Sequence, residues 1–296
     1  MTLEQLRIFV EVAQSLNMTR AAQALNLTQP SVSAAIAALE GRHGLRLFDR
    51  VGRSIELSEA GRAFLPEARG VLARAREAVQ ALDDLAGLRR GHVRIAASQT
   101  VATYWLPARM ARFAARWPGI ALDLALGNTQ ESAEAVLAGE ADLAFVEGEA
   151  QDGAGGDLLR VAAVGEDRLG LYARPDHPLA GRGLDRDALR GAVWVLRESG
   201  SGTRAHLGLA LAQAGLDWGD LDIRLELPAN GAVLEALNAG DLITAVSEYA
   251  AASRVAAGRI VRLDWPFAPR RFALLTHRAG RLSAASEAFI ASMEIA

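Results

Sequence analysis

The stretch from Thr19 to Glu40 constrains the fold of this chain more tightly than any other. Two short helical patterns flank a tight Asn26-Leu27-Thr28 turn. Before the turn, Thr19 reads as an N-cap, and Ala22 and Leu25 face inward. After it, Thr28 reads as the cap of a second helix with Pro30 in its first turn, where a missing N–H costs nothing. Val32, Ile36 and Leu39 then recur at i, i+4 and i+7 and form one buried stripe. Upstream, Leu3, Leu6, Val10 and Ala13 stand at helical spacing and predict an amphipathic helix over 2–15. Short helices joined by so tight a turn, with small Ala22 where they cross, spell a helix–turn–helix.

The outer face of the last helix is unusual. Opposite the buried stripe lie Pro30, Ser33, Ala34 and Ala37, with Gln29 and Ser31 toward the N-terminal end. Such small side chains let a helix approach base edges closely: Gln29 can pair with adenine, the serines with bases or phosphates, and Ala34 with a thymine methyl. A capped surface helix would show the same pattern, but the next residues favour double-stranded DNA. Arg42, His43, Arg46, Arg50 and Arg53 follow closely. Leu45–Phe48 and Ser54–Leu57 read as two short strands around Val51-Gly52-Arg53, a wing whose tip arginine can enter a minor groove or clamp a phosphate. The chain has no lysine, so every permanent side-chain cation is a guanidinium, suited to bidentate phosphate and guanine contacts, although GC-rich coding would also produce this.

These residues resemble the N-terminal pattern of the LysR-type transcriptional regulators. The match runs through Leu6-x-x-Phe9, Ala21-Ala22-x-x-Leu25, Thr28-Gln29-Pro30-Ser31-Val32-Ser33, Ile36-x-x-Leu39-Glu40, Gly44-x-x-Leu47-Phe48-x-Arg50 and Leu57-Ser58-x-Ala60-Gly61. The resemblance implies a winged helix–turn–helix over 1–58 whose third helix enters the major groove, with Thr28, Gln29, Pro30, Ser31, Ser33, Ala34, Arg50 and Arg53 at the DNA. Position 34 is Ala where many family members carry arginine, a departure at one base contact.

Ser58 caps a long helical pattern. Phe64, Ala68, Val71, Ala75, Ala78, Leu82 and Leu85 alternate steps of four and three, a heptad seam of the kind that pairs helix with helix. Leu65, Leu72 and Val79 form a second stripe beside it, so one stripe is expected on the winged domain and the other on a partner. A helix packing only on its own chain remains the alternative. Gly87 to Gly91 then suits a hinge, which bounds a linker and dimerisation segment at 59–88. The resemblance implies an antiparallel pairing of linker helices in a homo-oligomer, a dimer or a tetramer, reading an interrupted palindrome as a dimer of dimers and bending DNA that relaxes on induction.

From His92 onward the pattern is strand–helix alternation, with strands at 93–97, 120–126, 141–146, 192–196, 222–227 and 242–246. A short echo recurs at one place in each half: Glu134–Gly139 before Ala141, and Glu235–Gly240 before Asp241. This order predicts two similar α/β lobes. The whole chain thus reads as multidomain, α followed by α/β. The resemblance implies a periplasmic-binding-protein-like effector domain over 89–296, with lobe one about 89–163 and 267–296 and lobe two about 164–266. Ligands of open α/β sheets bind beyond the carboxyl ends of strands. Ser98-Gln99-Thr100, Asn128-Thr129 and Ser199-Gly200-Ser201-Gly202-Thr203 stand at such ends, and hydroxyls with free N–H groups at a helix start favour an anion. Plain N-capping is the alternative for each hydroxyl, and Arg204 either adds a cation or points to solvent. In the family the inducer lies between the lobes, where the residues matching Ser98, Thr100, Asn128, Ser199, Ser201 and Thr203 commonly line the cleft. The segment from Trp194 to Arg204 looks most like members sensing small oxyanions or carbon-metabolism intermediates, so a small anion or carboxylate is the expected effector.

Other classes fit less well. Ser201 lacks the glycine two residues before it that a nucleophile elbow needs, no lysine follows the Gly-rich segment as a nucleotide-binding loop would require, and His43, His92, His177, His206 and His277 lack ligand spacing. No enzyme activity, cofactor or metal is therefore expected. The amino terminus lacks a secretory pattern, cysteine is absent, and no apolar run spans a bilayer, so the expectation is a cytoplasmic protein without membrane contact. A solute-binding protein, or an enzyme domain fused to a DNA-binding head, is the alternative.

Overall fold

The computed structural model of the chain describes residues 1–52, 54–85, 91–148 and 156–293. They form two compact units, one holding Met1–Leu85 and the other most of the chain beyond it.

In the first unit, α1 (Leu3–Ser15) opens on a capping box in which Thr2 Oγ1 accepts from Gln5 N and Gln5 Oε1 accepts from Thr2 N. The cap of α2 (Met18–Ala24) is Asn17 rather than the expected Thr19. Asn17 Oδ1 accepts from Thr19 N at 2.9 Å and Arg20 N at 3.0 Å, so one amide satisfies two orphan donors and Thr19 falls inside the helix. Asn26, at φ 55°, turns the chain into α3 (Gln29–His43), where Thr28 Oγ1 accepts from Ser31 N and Gly44 ends the helix at φ 64°. Val32, Ile36 and Leu39 are buried against Leu6, Phe9, Val12 and Ala22. Phe9 anchors this core, its ring centroid 5.5 Å from that of Phe48 and 5.2 Å from that of Phe64.

The wing is β1 (Phe48–Val51) paired antiparallel with β2 (Ser54–Leu57). Its first strand begins at Phe48 rather than Leu45, because the Glu40 carboxylate accepts from Leu47 N at 2.7 Å and Phe48 N at 3.2 Å and ties that backbone to the end of α3. Ser58 caps α4 (Glu59–Leu85): its Oγ accepts from Gly61 N at 2.9 Å and donates to Arg46 O at 2.7 Å. The two stripes of α4 do not divide as expected. Phe64 and Ala68 of the seam and Leu65 and Leu72 of the second stripe all pack on the winged core, while Val71, Val79 and Leu82 are exposed. Both the face and the position along the helix decide burial: Val71 is exposed beside the packed Leu72, and Val79 and Leu82 lie beyond the turns that cover the winged domain. Arg53 and the expected hinge at 87–90 lie outside the described residues.

The second unit contains, in chain order, β3 (Gly91–Ser98), α5 (Leu106–Arg116), β4 (Ile120–Gly127), α6 (Thr129–Leu137), β5 (Leu143–Glu147), β6 (Leu159–Asp167), β7 (Leu169–Ala173), α7 (Arg186–Arg190), β8 (Val193–Arg197), α8 (Gly202–Gln213), β9 (Asp222–Leu227), α9 (Asn230–Ala236), β10 (Leu242–Ser247), α10 (Glu248–Ala256), β11 (Val261–Leu263), β12 (Arg270–His277) and α11 (Ala284–Ser292). They make two five-stranded sheets, ordered β4-β3-β5-β12-β6 and β9-β8-β10-β7-β11. In each, three parallel strands are followed by a fourth that runs against them and a fifth that runs against the fourth, so β3, β4 and β5 correspond to β8, β9 and β10. The sequence echo falls on this correspondence: one copy leads into β5 and the other into β10. The chain leaves the first sheet after Asp167 and rejoins it at Arg270, past the positions near 163 and 267 expected from sequence. The strands extend this far because Asp167 and Arg270 are direct partners in the β6–β12 ladder.

Both sheets are covered on two faces, which explains why β5 is buried throughout. In the first lobe Trp105, Phe113, Phe145, Phe272 and Phe289 interlock, with Trp105 meeting Phe272 edge-on at 5.7 Å. In the second, Trp194 and Leu196 point to one side of β8 and Val195 to the other.

Candidate functional site

The carboxyl ends of β3, β4, β5 and β8 meet between the lobes. Ser98 ends β3 with its hydroxyl buried and without a partner. Gln99 and Thr100 follow, and the chain then enters a π-helical turn over Val101–Trp105 that the helical pattern did not predict. Gln99 clasps the opposite lobe: its Nε2 donates to Pro228 O at 2.9 Å and its Oε1 accepts from Asn230 N at 3.1 Å. Thr100 works in both directions. Its N–H donates to Glu147 Oε1 at 3.1 Å, and its hydroxyl oxygen accepts from Asn230 Nδ2 at 3.2 Å.

Asn128 caps α6 in a reciprocal pair, with Oδ1 accepting from Glu131 N at 2.9 Å and its own N–H donating to Glu131 Oε2 at 2.8 Å. The loop after β8 comes close to this corner. Gln130 N donates to Gly200 O at 3.3 Å, and a Cβ on Gly202 would lie 2.6 Å from both Glu147 O and Thr129 Oγ1. Gly200, at φ 85°, occupies a conformation that suits only glycine. Ser201 is the N-cap residue of α8 but makes no capping bond with its side chain, so its hydroxyl is buried and unpartnered, like that of Thr129.

Of the expected cleft residues, Ser98, Thr100, Asn128, Ser201 and Thr203 are buried here and Ser199 is exposed. Thr203 is already engaged, its hydroxyl accepting from Arg270 Nη1 at 3.2 Å. Arg204 points elsewhere: it donates to Arg197 O at 3.0 Å, pairs with Glu226, and lies 5.1 Å over the Trp218 ring.

The charged groups of the cleft were not anticipated from sequence. Arg197 follows Val195 on the same face of β8, the face against which α9 packs, and its Nη1 donates to Asn230 Oδ1 at 2.7 Å. Its Nε and Nη2 meet both oxygens of Glu198, at 2.7 and 2.8 Å, in a bidentate pair. Burial works to raise the Glu198 carboxyl, but Arg197, followed by a backbone hydrogen bond and then one from the Asn128 side chain, holds it below the usual carboxylate range. Arg270 is buried too, giving Nε and Nη2 to Asp167 Oδ2 at 2.8 and 2.6 Å, while Ser247 Oγ donates to Asp167 Oδ1 at 2.8 Å. The Glu147 carboxylate lies 3.9 Å from Arg270. A polar chain thus runs from Glu198 through Arg197, Asn230 and Thr100 to Glu147, across both lobes. An arrangement of this kind has the chemistry to bind a small polar ligand at the junction of the lobes.

On the first unit, Thr28, Gln29, Pro30, Ser31 and Ala34 are exposed on one end of α3, Ser33 is half-buried, and Arg50 is exposed on the wing. Gln29 Nε2 donates to Ser33 Oγ at 2.9 Å, and the Thr28 and Ser31 hydroxyls lie 2.8 Å apart. No helix among the described residues is long and apolar enough to cross a membrane.

Two family profiles together match nearly the whole chain: "Bacterial regulatory helix-turn-helix protein, lysR family" over residues 3–62 and "LysR substrate binding domain" over residues 86–294. The chain is 34% identical to the HTH-type transcriptional regulator YeiE of Escherichia coli (strain K12), over 98% of this chain and 96% of that one. It is also 34% identical to the RuBisCO operon transcriptional regulator of Allochromatium vinosum, over 97% and 94% of the two chains. Among solved structures, the Synechocystis PCC6803 CcmR regulatory domain in complex with 2-PG superposes with a TM-score of 0.61 at 27% identity, covering 69% of this chain and 96% of that one. Full-length CbnR complexed with target DNA shares the fold at a TM-score of 0.65 and 23% identity, over 99% of each chain. The chain therefore belongs to the LysR family and is a ligand-responsive transcriptional regulator with an N-terminal winged helix–turn–helix and a C-terminal effector-binding domain.

Proposed function

We propose that the chain acts in the cytoplasm as a regulator without catalytic activity of its own, switched by a small anionic effector held between its lobes. The observation that carries this reading is the buried Arg197, linked through Asn230 to Thr100 of the other lobe, together with the buried, unpartnered hydroxyls of Ser98 and Ser201. Relatives support it: one solved relative at 27% identity is a regulatory domain in complex with 2-PG, and two curated relatives are RuBisCO operon transcriptional regulators. Ser98, Thr100, Asn128, Ser201 and Thr203 are the proposed effector residues, with Ser199 at the rim.

The proposed domains are 1–58 for DNA, 59–88 for pairing and hinge, and 89–296 for the effector. The exposed Val71, Val79 and Leu82 on α4 form the surface that a second copy covers, building a dimer and then a dimer of dimers on an interrupted palindrome. Thr28, Gln29, Pro30, Ser31, Ser33 and Ala34 face the major groove, and Arg50 and Arg53 hold phosphates. Effector binding favours one lobe arrangement and so resets the spacing of the reading heads. A thermal-shift screen of the full chain against small phosphates and carboxylates tests the reading. Stabilisation by at least one anion, lost in Thr100→Val, is expected; stabilisation only by neutral or cationic ligands overturns it.

A further inference from the structure

Given an anionic effector, the cleft presents a difficulty of charge. Both of its buried guanidiniums are already paired, Arg270 with Asp167 and Arg197 with Glu198. Glu147 adds a third carboxylate on the Thr100 N–H, where an incoming anion would otherwise find a donor. An anion entering beside these groups would be buried without a counter-charge, which is strongly disfavoured. Release of one internal carboxylate would supply that counter-charge by freeing its guanidinium.

The structure distinguishes the two. Asp167 has a fully buried side chain, is a ladder partner of Arg270, and is held by Ser247 as well. Glu198 lies on the loop after β8, its side chain 23% exposed, while Arg197 beside it is 2% exposed. Glu198 is thus the carboxylate that can swing to solvent and leave a buried, oriented fork behind. The same fork donates to Asn230, so whatever replaces Glu198 also touches the relay to Thr100.

We infer that Glu198 is a built-in stand-in for the effector: it occupies Arg197 in the ligand-free cleft, and an anionic effector binds by displacing it. The side chain thereby sets the affinity threshold of the sensor, and the ligand class is a phosphate or carboxylate able to accept two parallel hydrogen bonds from one guanidinium.

Calorimetric titration of the full chain with inorganic phosphate and with malonate, at fixed ionic strength, tests this. Glu198→Gln is expected to tighten binding of at least one probe by about tenfold or more, and Arg197→Met to lose it. Glu198→Asp, which keeps the charge but is too short for the same bidentate pairing, should tighten it by less, and it carries the test if Glu198→Gln fails to fold. Wild-type binding that is unchanged or weaker in the Glu198 variants overturns the displacement while leaving an anionic effector standing. Failure of wild type and both Glu198 variants to bind either probe overturns the displacement together with the anionic reading.

Discussion

Asn230 donates its side-chain amide to Thr100 Oγ1 at 3.2 Å, joining the start of α9 in one lobe to the turn after β3 in the other. Both residues are buried, so neither group can exchange its partner for bulk water. Thr100→Val keeps the shape of the side chain and removes the acceptor. The stranded amide should cost about 1–3 kcal/mol of stability. The expected outcome is loss of effector response with operator affinity retained, measured by gel shift with and without effector; an intact response removes Thr100 from the switch.

Gly202 marks how closely the lobes approach. A methyl group there would meet Glu147 O, a backbone atom of the other lobe that cannot rotate away. Gly202→Ala should therefore hold the lobes apart and weaken effector binding at least tenfold, of the order of the 1–3 kcal/mol, roughly, that overpacking costs. Gly231→Ala is the control, because a Cβ there meets open space. Equal effector affinity in the two variants would show that the contact does not limit closure.

Gln29 is parked on Ser33 in the free protein. Exchanging that internal bond for a base edge makes its net contribution one of discrimination. Gln29→Ala should relax preference at one base position by about 1–3 kcal/mol and leave nonspecific affinity unchanged. Binding to a library of single-base operator variants checks this, and a uniform loss across all variants would reassign Gln29 to the phosphates.

Burial pushes the Tyr172 phenol up to about 12, against an ordinary value near 10. The folded state thus disfavours the phenolate. The associated stability is fully present below the unfolded value near 10 and is lost as pH rises through about 12. Ultraviolet difference titration of wild type against Tyr172→Phe should assign to this residue a phenolate that forms only toward the alkaline limit. A Tyr172 component titrating at the ordinary value would contradict its burial.

Much of the first unit is legible in sequence because its signals are local. A cap, a proline in the first turn and apolar residues at i, i+4 and i+7 act within a few residues, and α3 follows them closely. Where two caps compete locally, tertiary packing and side-chain reach decide, and Asn17 displaces Thr19. The duplicated lobes are likewise visible as alternation and as the echo before β5 and β10. The start of the wing is not, because Glu40 acts on Leu47 and Phe48 through space.

Sequence alone thus determined the helix–turn–helix, the long α4, the α/β repeat and the hydroxyl-bearing strand ends. Only the tertiary structure decided which charges enter the cleft. Nothing in the local sequence marks Arg197, Glu147, Asp167 and Arg270 as buried; sheet register pairs Asp167 with Arg270, and the second lobe adds Ser247 and Thr203 to them. Arg270 and Asp167 are far apart in the chain and adjacent in the ladder, and Asn230 reaches Thr100 only where the two lobes meet. A buried charge is tolerated only with its counter-charge in place, and no local pattern of residues encodes a ladder partner 103 residues away or a neutral bond from the other lobe.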